Sequence, residues 1–319
     1  MALPAFRELD FKASNVDLKS ILFDVELRDL YVLENSRDKI FQDFYAKVKS
    51  YKAIVNLTNN EVLSVVTGNY KIVTNEEAIA LGKKAFVELF PSVNEKELVI
   101  FKIISSARKT FCHIDLVHKN IKLSHDSKEW EQDSWYPYLR ITNSYNKTYA
   151  LSFELGFVRK LCSNGVIFNK KTVRVKYNHT KTEIPYDILP DVSALKKLEA
   201  DFISSLYNLK RFYVKSDFFT PITLKALNIK EKSYTGKEQQ FDNLVSSVEG
   251  LNTNYINKDG ENAYALFNVM SDLVSNNPND IMGYHLAPNS YYKKISHWML
   301  SFASAMESRD FTIERYLNS

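Results

Sequence analysis

Residues 138–168 read YLRITNSYNKTYALSFELGFVRKLCSNGVIF. An apolar run, a polar turn around Asn146-Lys147 and a second apolar run make a strand, turn and strand. The Arg159-Lys160 pair then leads into Cys162-Ser163-Asn164-Gly165, a further turn signal. Residues 169–181, NKKTVRVKYNHTK, continue with Val173, Val175 and Tyr177 in alternation, so the opposite face of that strand would carry Arg174 and Lys176. From Phe157 to Thr182 there are seven Lys/Arg and no Asp or Glu. The chain as a whole is nearly balanced, 42 basic against 38 acidic residues, so the imbalance is local.

Working toward the N-terminus, the same period of two recurs. Leu98 to Ile104 and Thr110 to His118 form a hairpin pattern around Ser105–Lys109, and Lys52 to Leu57 and Glu61 to Thr67 flank the turn residues Thr58-Asn59-Asn60. Asn69 to Val73 reads as another short strand. Thr74 followed by Glu77 is a capping-box spacing, and Ala78, Leu81, Ala85, Phe86 and Leu89 behind it fall on one helical face up to Pro91.

Past Pro190 the pattern changes to helical spacing. Asp191 or Ser193 can cap a helix to about Leu209, and Pro221 to Leu227, Lys237 to Val248, Glu261 to Ser275 and Ser290 to Met306 follow. Tyr291, Ile295, Trp298, Met299 and Phe302 form a stripe of the kind that builds a core. Hairpins first and helices afterwards give an α+β fold: a mostly antiparallel sheet in the first ~180 residues, covered by helices, with a helical C-terminal third. The expected division is a strand-rich core over 1–186 and a helical region over 187–319 that packs on it or forms a second subdomain.

At 319 residues, 45% of them apolar, the chain can bury a core without staples. Two cysteines, Cys112 and Cys162, make no disulfide framework and read as thiols of a reducing compartment. The first residues lack the pattern of a signal peptide, and no run approaches the ~18 apolar residues of a membrane span, so no membrane partner is expected. The Asn-x-Thr triplets at Asn56, Asn146 and Asn178 then carry no glycosylation meaning.

The glycine-loop, HExxH, CxxC-deaminase and GxSxG signatures are all missing, and no cofactor is implied. His113, Asp115, His118 and His125 are the best metal-like cluster. On a strand His113 and Asp115 would share a face while His118 points away, a poor geometry for one ion. Asp126, Glu129, Glu131 and Asp133 match no EF-hand spacing and read as a solvated loop, with Trp130, Trp135, Tyr136 and Tyr138 beside it either stacking on bases or pinning the loop.

The basic segment is the strongest positive signal. Lys and Arg hold phosphates without a fixed motif, and single strands need a basic groove with exposed rings. Arg159, Lys160, Lys170, Lys171, Arg174, Lys176 and Lys181 supply the charge. Tyr149 and Tyr177, with Tyr145 and Phe168 nearby, supply rings. The competing reading is a basic strand edge that discourages aggregation.

Two blocks resemble a known family, the phage/plasmid-like proteins of domain-of-unknown-function nine-three-two. In YKAIVNLTNNEVLSVVTGNYKIVTNEEAIAL, residues 51–81, the family's Tyr-Lys-Val-Val-Gln-Asn-x-Glu-Ala pattern is matched by Tyr70, Lys71, Ile72, Val73, Asn75, Glu77 and Ala78. In residues 141–168 its Thr-Asn-Ser-His-Asp-Gly-Ser-x-Ala…Arg-x-Val-Cys-x-Asn block is matched by Thr142, Asn143, Ser144, Ala150, Arg159, Cys162 and Asn164. The family's His-Asp-Gly is Tyr145-Asn146-Lys147 here, and ENAYALFNVMSDLV near the C-terminus is a weaker echo. The resemblance covers roughly residues 50–275. It implies a phage, plasmid or genomic-island setting, hence the cytoplasm of a bacterial host, and no assigned reaction. Cys162 has no His near it in sequence to activate it, and reads as a packed thiol.

The expectation is therefore a non-catalytic protein that contacts single-stranded DNA or RNA through Arg159–Lys181, in support of recombination or replication. The alternatives are a factor that binds a host (defence) protein, recognisable by a large exposed apolar patch, and an enzyme with a metal site assembled around His113, Asp115 and the acidic loop. An oligomer is compatible with each.

Overall fold

The computed structural model describes residues 17–34, 44–123, 134–159, 165–167, 174–177, 179, 192–276, 278–308 and 310–318. Two antiparallel sheets occupy the first part of the chain. The first has the order β1 (Val25–Glu34), β2 (Phe44–Asn56), β3 (Val62–Thr67). The second runs β4 (Leu98–Ser105), β5 (Phe111–His118), β6 (Trp135–Ser144), β7 (Leu151–Arg159), and β7 is paired on its far side by both β8 (Gly165–Ile167) and β9 (Arg174–Tyr177). The α+β expectation is met, with strands from hairpins first and helices after them.

In chain order α1 (Asn75–Leu89) falls between the strands of the first sheet and those of the second. Its N-terminus is the capping box read in the sequence: Thr74 Oγ1 accepts from the Glu77 amide at 3.1 Å, and the Glu77 carboxylate accepts from the Thr74 amide at 2.7 Å. The helix lies on one face of the second sheet. Gly82 is in contact with Leu116 and Ile141, and a Cβ on it would sit 2.2 Å from Ile141 Cδ1. The other face is covered from the C-terminal half: α2 (Val192–Arg211), α3 (Phe219–Ala226), α4 (Glu238–Asp259), α5 (Ala263–Asn276), α6 (Pro288–Met306) and α7 (Ile313–Asn318). α5 is buried from Ala263 to Ser275 and forms the axis of this half. One apolar core runs from Ile21 through α1 and the second sheet to Phe302 of α6, so the helical third and the strands share an interior. A smaller cluster, Ile54, Leu63, Val66, Tyr70 and Tyr145, lies under the first sheet.

The differences from the sequence reading have physical causes. Residues 69–73 are not a strand; the Lys71 amide bonds to the His179 carbonyl and Tyr70 turns its ring into the small core. α4 runs past Val248 to Asp259 despite Gly250 and Asn252, because Leu244, Val248, Leu251 and Tyr255 bury one stripe. It ends at Gly260, whose φ of +84° suits glycine. β1 and α7 were not foreseen.

Candidate functional site

The basic segment is the first place to look, and the structure takes part of it inward. Arg159 is fully buried. Its guanidinium lies 3.9 Å from the Asp259 carboxylate and 5.3 Å from the Tyr264 ring centroid, so it ties the end of β7 to the junction of α4 and α5. This corrects its assignment to a phosphate-contacting surface: a cation enclosed in this way has no face for a polyanion. Tyr177 is buried in β9. Tyr149 is half-buried, packs its ring edgewise 5.1 Å from both Phe111 and His113, and donates its hydroxyl to the Leu286 carbonyl at 3.1 Å. Neither ring is a free stacking platform. Tyr145 is interior too, accepting from the Asn75 amide at 3.1 Å. The backbones of Arg174 and Lys176 stand in β9 opposite Glu154 and Ser152. Lys160, Lys170, Lys171 and Lys181 lie outside the described residues, as do Phe168, Cys162, His125, Trp130 and the acidic group 126–133.

The register of the second sheet shows a feature that no local motif announced. Lys102, Asp115, Arg140, Glu154 and Arg174 are paired strand to strand across β4, β5, β6, β7 and β9, so basic and acidic residues alternate along one row. Arg140 and Asp115 form a bidentate ion pair, Nε and Nη2 each 2.6 Å from a carboxylate oxygen. α6 closes over the row. The Asn289 side-chain oxygen accepts from Arg140 at 3.0 Å and its amide nitrogen donates to Glu154 at 3.3 Å. Lys293 pairs with Glu154 at 2.7 Å, and Lys102 donates to the Tyr292 hydroxyl at 3.0 Å and to the Ser275 carbonyl at 2.8 Å. The Arg140 guanidinium also stacks 4.2 Å over the Tyr292 ring.

The electrostatics follow from this crowding. Burial alone would keep the Tyr292 phenol protonated. Lys102 and Arg140 outweigh burial and bring its pKa down to about 8. His113 is held well below its ordinary value, chiefly by burial and then by Arg140 and Lys293, so it is a neutral imidazole bonded through Nδ1 to Thr142 Oγ1 at 2.8 Å. His113 and Asp115 do share a face, as the spacing implied. Each is committed, His113 to Thr142 and Asp115 to Arg140, and His118 is separately paired with Glu97 at 3.0 Å. Among the described residues no three His, Cys, Asp or Glu side chains converge as metal ligands. The row is a tie between sheet and helix.

The two sequence blocks meet in space. Asn143 on β6 donates to the Val73 carbonyl and to Asn75 Oδ1, both at 2.9 Å. Asn75 Oδ1 also takes the Cys112 thiol at 3.2 Å, and Asn75 Nδ2 donates to the Ile21 carbonyl at 2.8 Å. Burial pushes that thiol up to about 12, so it is no nucleophile. Tyr70 donates to the Ser144 carbonyl at 3.1 Å. These residues lock the segment entering α1 against β5 and β6.

The open feature is the first sheet. Among the described residues, eight of the ten large apolar side chains that stand out into solvent belong to it or to its β2–β3 turn: Tyr31, Val32 and Leu33 on β1, Tyr45 and Tyr51 on β2, Leu57, and Val62 and Val65 on β3. Tyr45 is 67% exposed. The inward residues Ile54, Leu63 and Val66 fill the small core, whereas Tyr51 and Val65 face outward with nothing described upon them. Elsewhere, a cavity of about 330 Å³ lies beside the start of α4, lined by Tyr234, Phe241, Glu231, Glu238, Asp242 and their neighbours.

No protein-family model, no curated protein and no solved structure matches the chain. The family resemblance thus rests on the two blocks and the weaker C-terminal echo, and the two blocks make structural bonds.

The exposed sheet was the feature sequence reasoning missed. Its signal was present: VELRDLYVLE mixes charges with large apolar residues, and four of the latter, Leu30 to Leu33, are consecutive.

Proposed function

We propose that this chain is a non-catalytic binding protein whose working surface is the outward side of β1–β3, and that its partner there is a protein. The observation that carries this is the concentration of exposed apolar side chains on one small sheet, which is unusual for a surface without a partner. The charge on the three strands is three acids against four bases, so little net field draws a polyanion to it. The chemistry is that of a docking patch with an apolar centre and a charged margin. Should the phage or plasmid setting implied by the resemblance hold, a host protein is the natural partner.

A second reading keeps single-stranded nucleic acid on the segment after Arg159. It is supported by six Lys/Arg without an acid between Lys160 and Thr182, and by the position of β9 at the margin of the sheet. Capture from nuclease-treated host lysate separates the two. Retention that survives high salt and is lost in Val62→Glu/Val65→Glu supports the protein partner. Retention of oligonucleotide that weakens steeply with salt and is lost in Lys170→Glu/Lys171→Glu supports the nucleic acid and overturns the first reading.

A further inference from the structure

β2 is longer than the strands that pair with it. It spans Phe44–Asn56, yet among the described residues β3 pairs only with Tyr51–Val55, and beyond that a single bond, Gly68 amide to Ser50 carbonyl, holds the β3 side. The far part of the sheet is thus a two-stranded arm, Tyr31–Glu34 against Phe44–Lys47. β1 is the edge strand, with its outer side unpaired among the described residues. Two antiparallel strands in water are marginally stable, and open edges invite a further strand. The arm also bears apolar side chains on both of its faces: Tyr31 and Leu33 share one face with Tyr45 and Lys47, and Val32 shares the other with Ala46.

The strands differ in charge. β1 carries Glu26, Asp29 and Glu34 against one base, Arg28, for a net −2; β2 carries Lys47, Lys49 and Lys52 and no acid, for a net +3. Within the sheet some of this is neutralised, Lys47 with Asp29 at 2.6 Å and Arg28 with Glu26, but such exposed pairs are weak. Pairing β1 with β1, or β2 with β2, across two copies sets like charges side by side. Pairing β1 of one copy with the open edge of β2 in the next sets opposite charges side by side.

We infer that the arm joins copies of this chain, with β1 of one copy adding to the free edge of β2 of the next. This goes beyond the docking face proposed above and does not depend on what that face binds. The contact is heterologous: each copy keeps one acidic and one basic edge, so assembly passes beyond a dimer to a ring or a filament.

Sedimentation of the purified full chain over a wide concentration range is the test. The wild type is expected to exceed two copies of the 36.9 kDa chain. Lys47→Glu/Lys49→Glu and Glu26→Lys/Glu34→Lys are each expected to sediment as one copy, with far-ultraviolet circular dichroism like that of the wild type. An equimolar mixture of the two is expected to regain the large species, because each variant's edges then match the other's. A wild type that stays monomeric throughout overturns the inference while leaving the docking face standing. A wild type that stops at a dimer, or large species that persist in either variant alone, overturns it as well. If both variants lose their structure, Tyr45→Glu, which puts an acid on the basic edge at an exposed position and leaves every ion pair in place, decides: an unchanged assembly size sinks the proposal.

Discussion

Asp115 and Arg140 face each other across β5 and β6 with two 2.6 Å hydrogen bonds, and neither side chain is more than 2% exposed. Such a pair is costly to break and cheap to replace. Removing one partner strands a buried charge, so Asp115→Leu or Arg140→Met is expected to lose about 3–5 kcal/mol in denaturant unfolding. The double variant Asp115→Leu/Arg140→Met is expected to lose far less than the sum. If the losses simply add, the two side chains are not coupled as the geometry requires.

Asn75 and Asn143 form the second tie. Asn143→Ala leaves the Val73 carbonyl and Asn75 Oδ1 each short of a donor, and Asn75→Ala removes the acceptor shared by Asn143 and Cys112. Each single change is expected to cost about 1–3 kcal/mol, the range for a buried polar group left unsatisfied. Together they are expected to cost clearly less than their sum, which a double-mutant cycle on unfolding free energies reads directly.

Parts of this were legible in the chain and parts were not. The β6–β7 hairpin and the Thr74 cap were readable because their signals are local, alternation in one case and a three-residue spacing in the other. β1 escaped because Tyr31, Val32 and Leu33 are consecutive and all exposed, which erases the contrast of period two. Arg159 was misplaced because its surroundings, Asp259 and Tyr264, are remote in sequence; a basic residue near lysines reads as surface until tertiary contacts are known. The charged row was invisible for the same reason, since it exists only once the five strands are in register.

Tyr292 offers a spectroscopic readout of that row. Its phenol is brought down to about 8, against an ordinary 10.0, by Lys102 and Arg140 overcoming burial. Tyrosinate absorbance of the native protein is expected to show an early step near pH 8 that is missing in Tyr292→Phe. Between pH 8 and 10 the unfolded chain holds a proton that the folded chain has released, so stability rises with pH across that window. The contribution is complete above the unfolded value and is lost as pH falls through the folded one. Tyr292→Phe is expected to flatten that part of the profile.

Lys147 sits in the β6–β7 turn with φ at +62°, a left-handed conformation that a side chain makes costly. The family pattern resembled by this block has glycine at the same place, and the backbone supplies the reason. Lys147→Gly is expected to gain about 0.5–1 kcal/mol, the relief of strain less the larger freedom of glycine in the unfolded chain. Urea unfolding reads this as a higher midpoint with an unchanged slope. The control is Lys83→Gly, inside α1, where the backbone is already helical and the same replacement is expected to cost up to about 1 kcal/mol. If both variants lose stability alike, Lys147 is not strained, and the turn must draw its shape from the bond between the Asn146 side chain and the Thr148 amide at 3.1 Å.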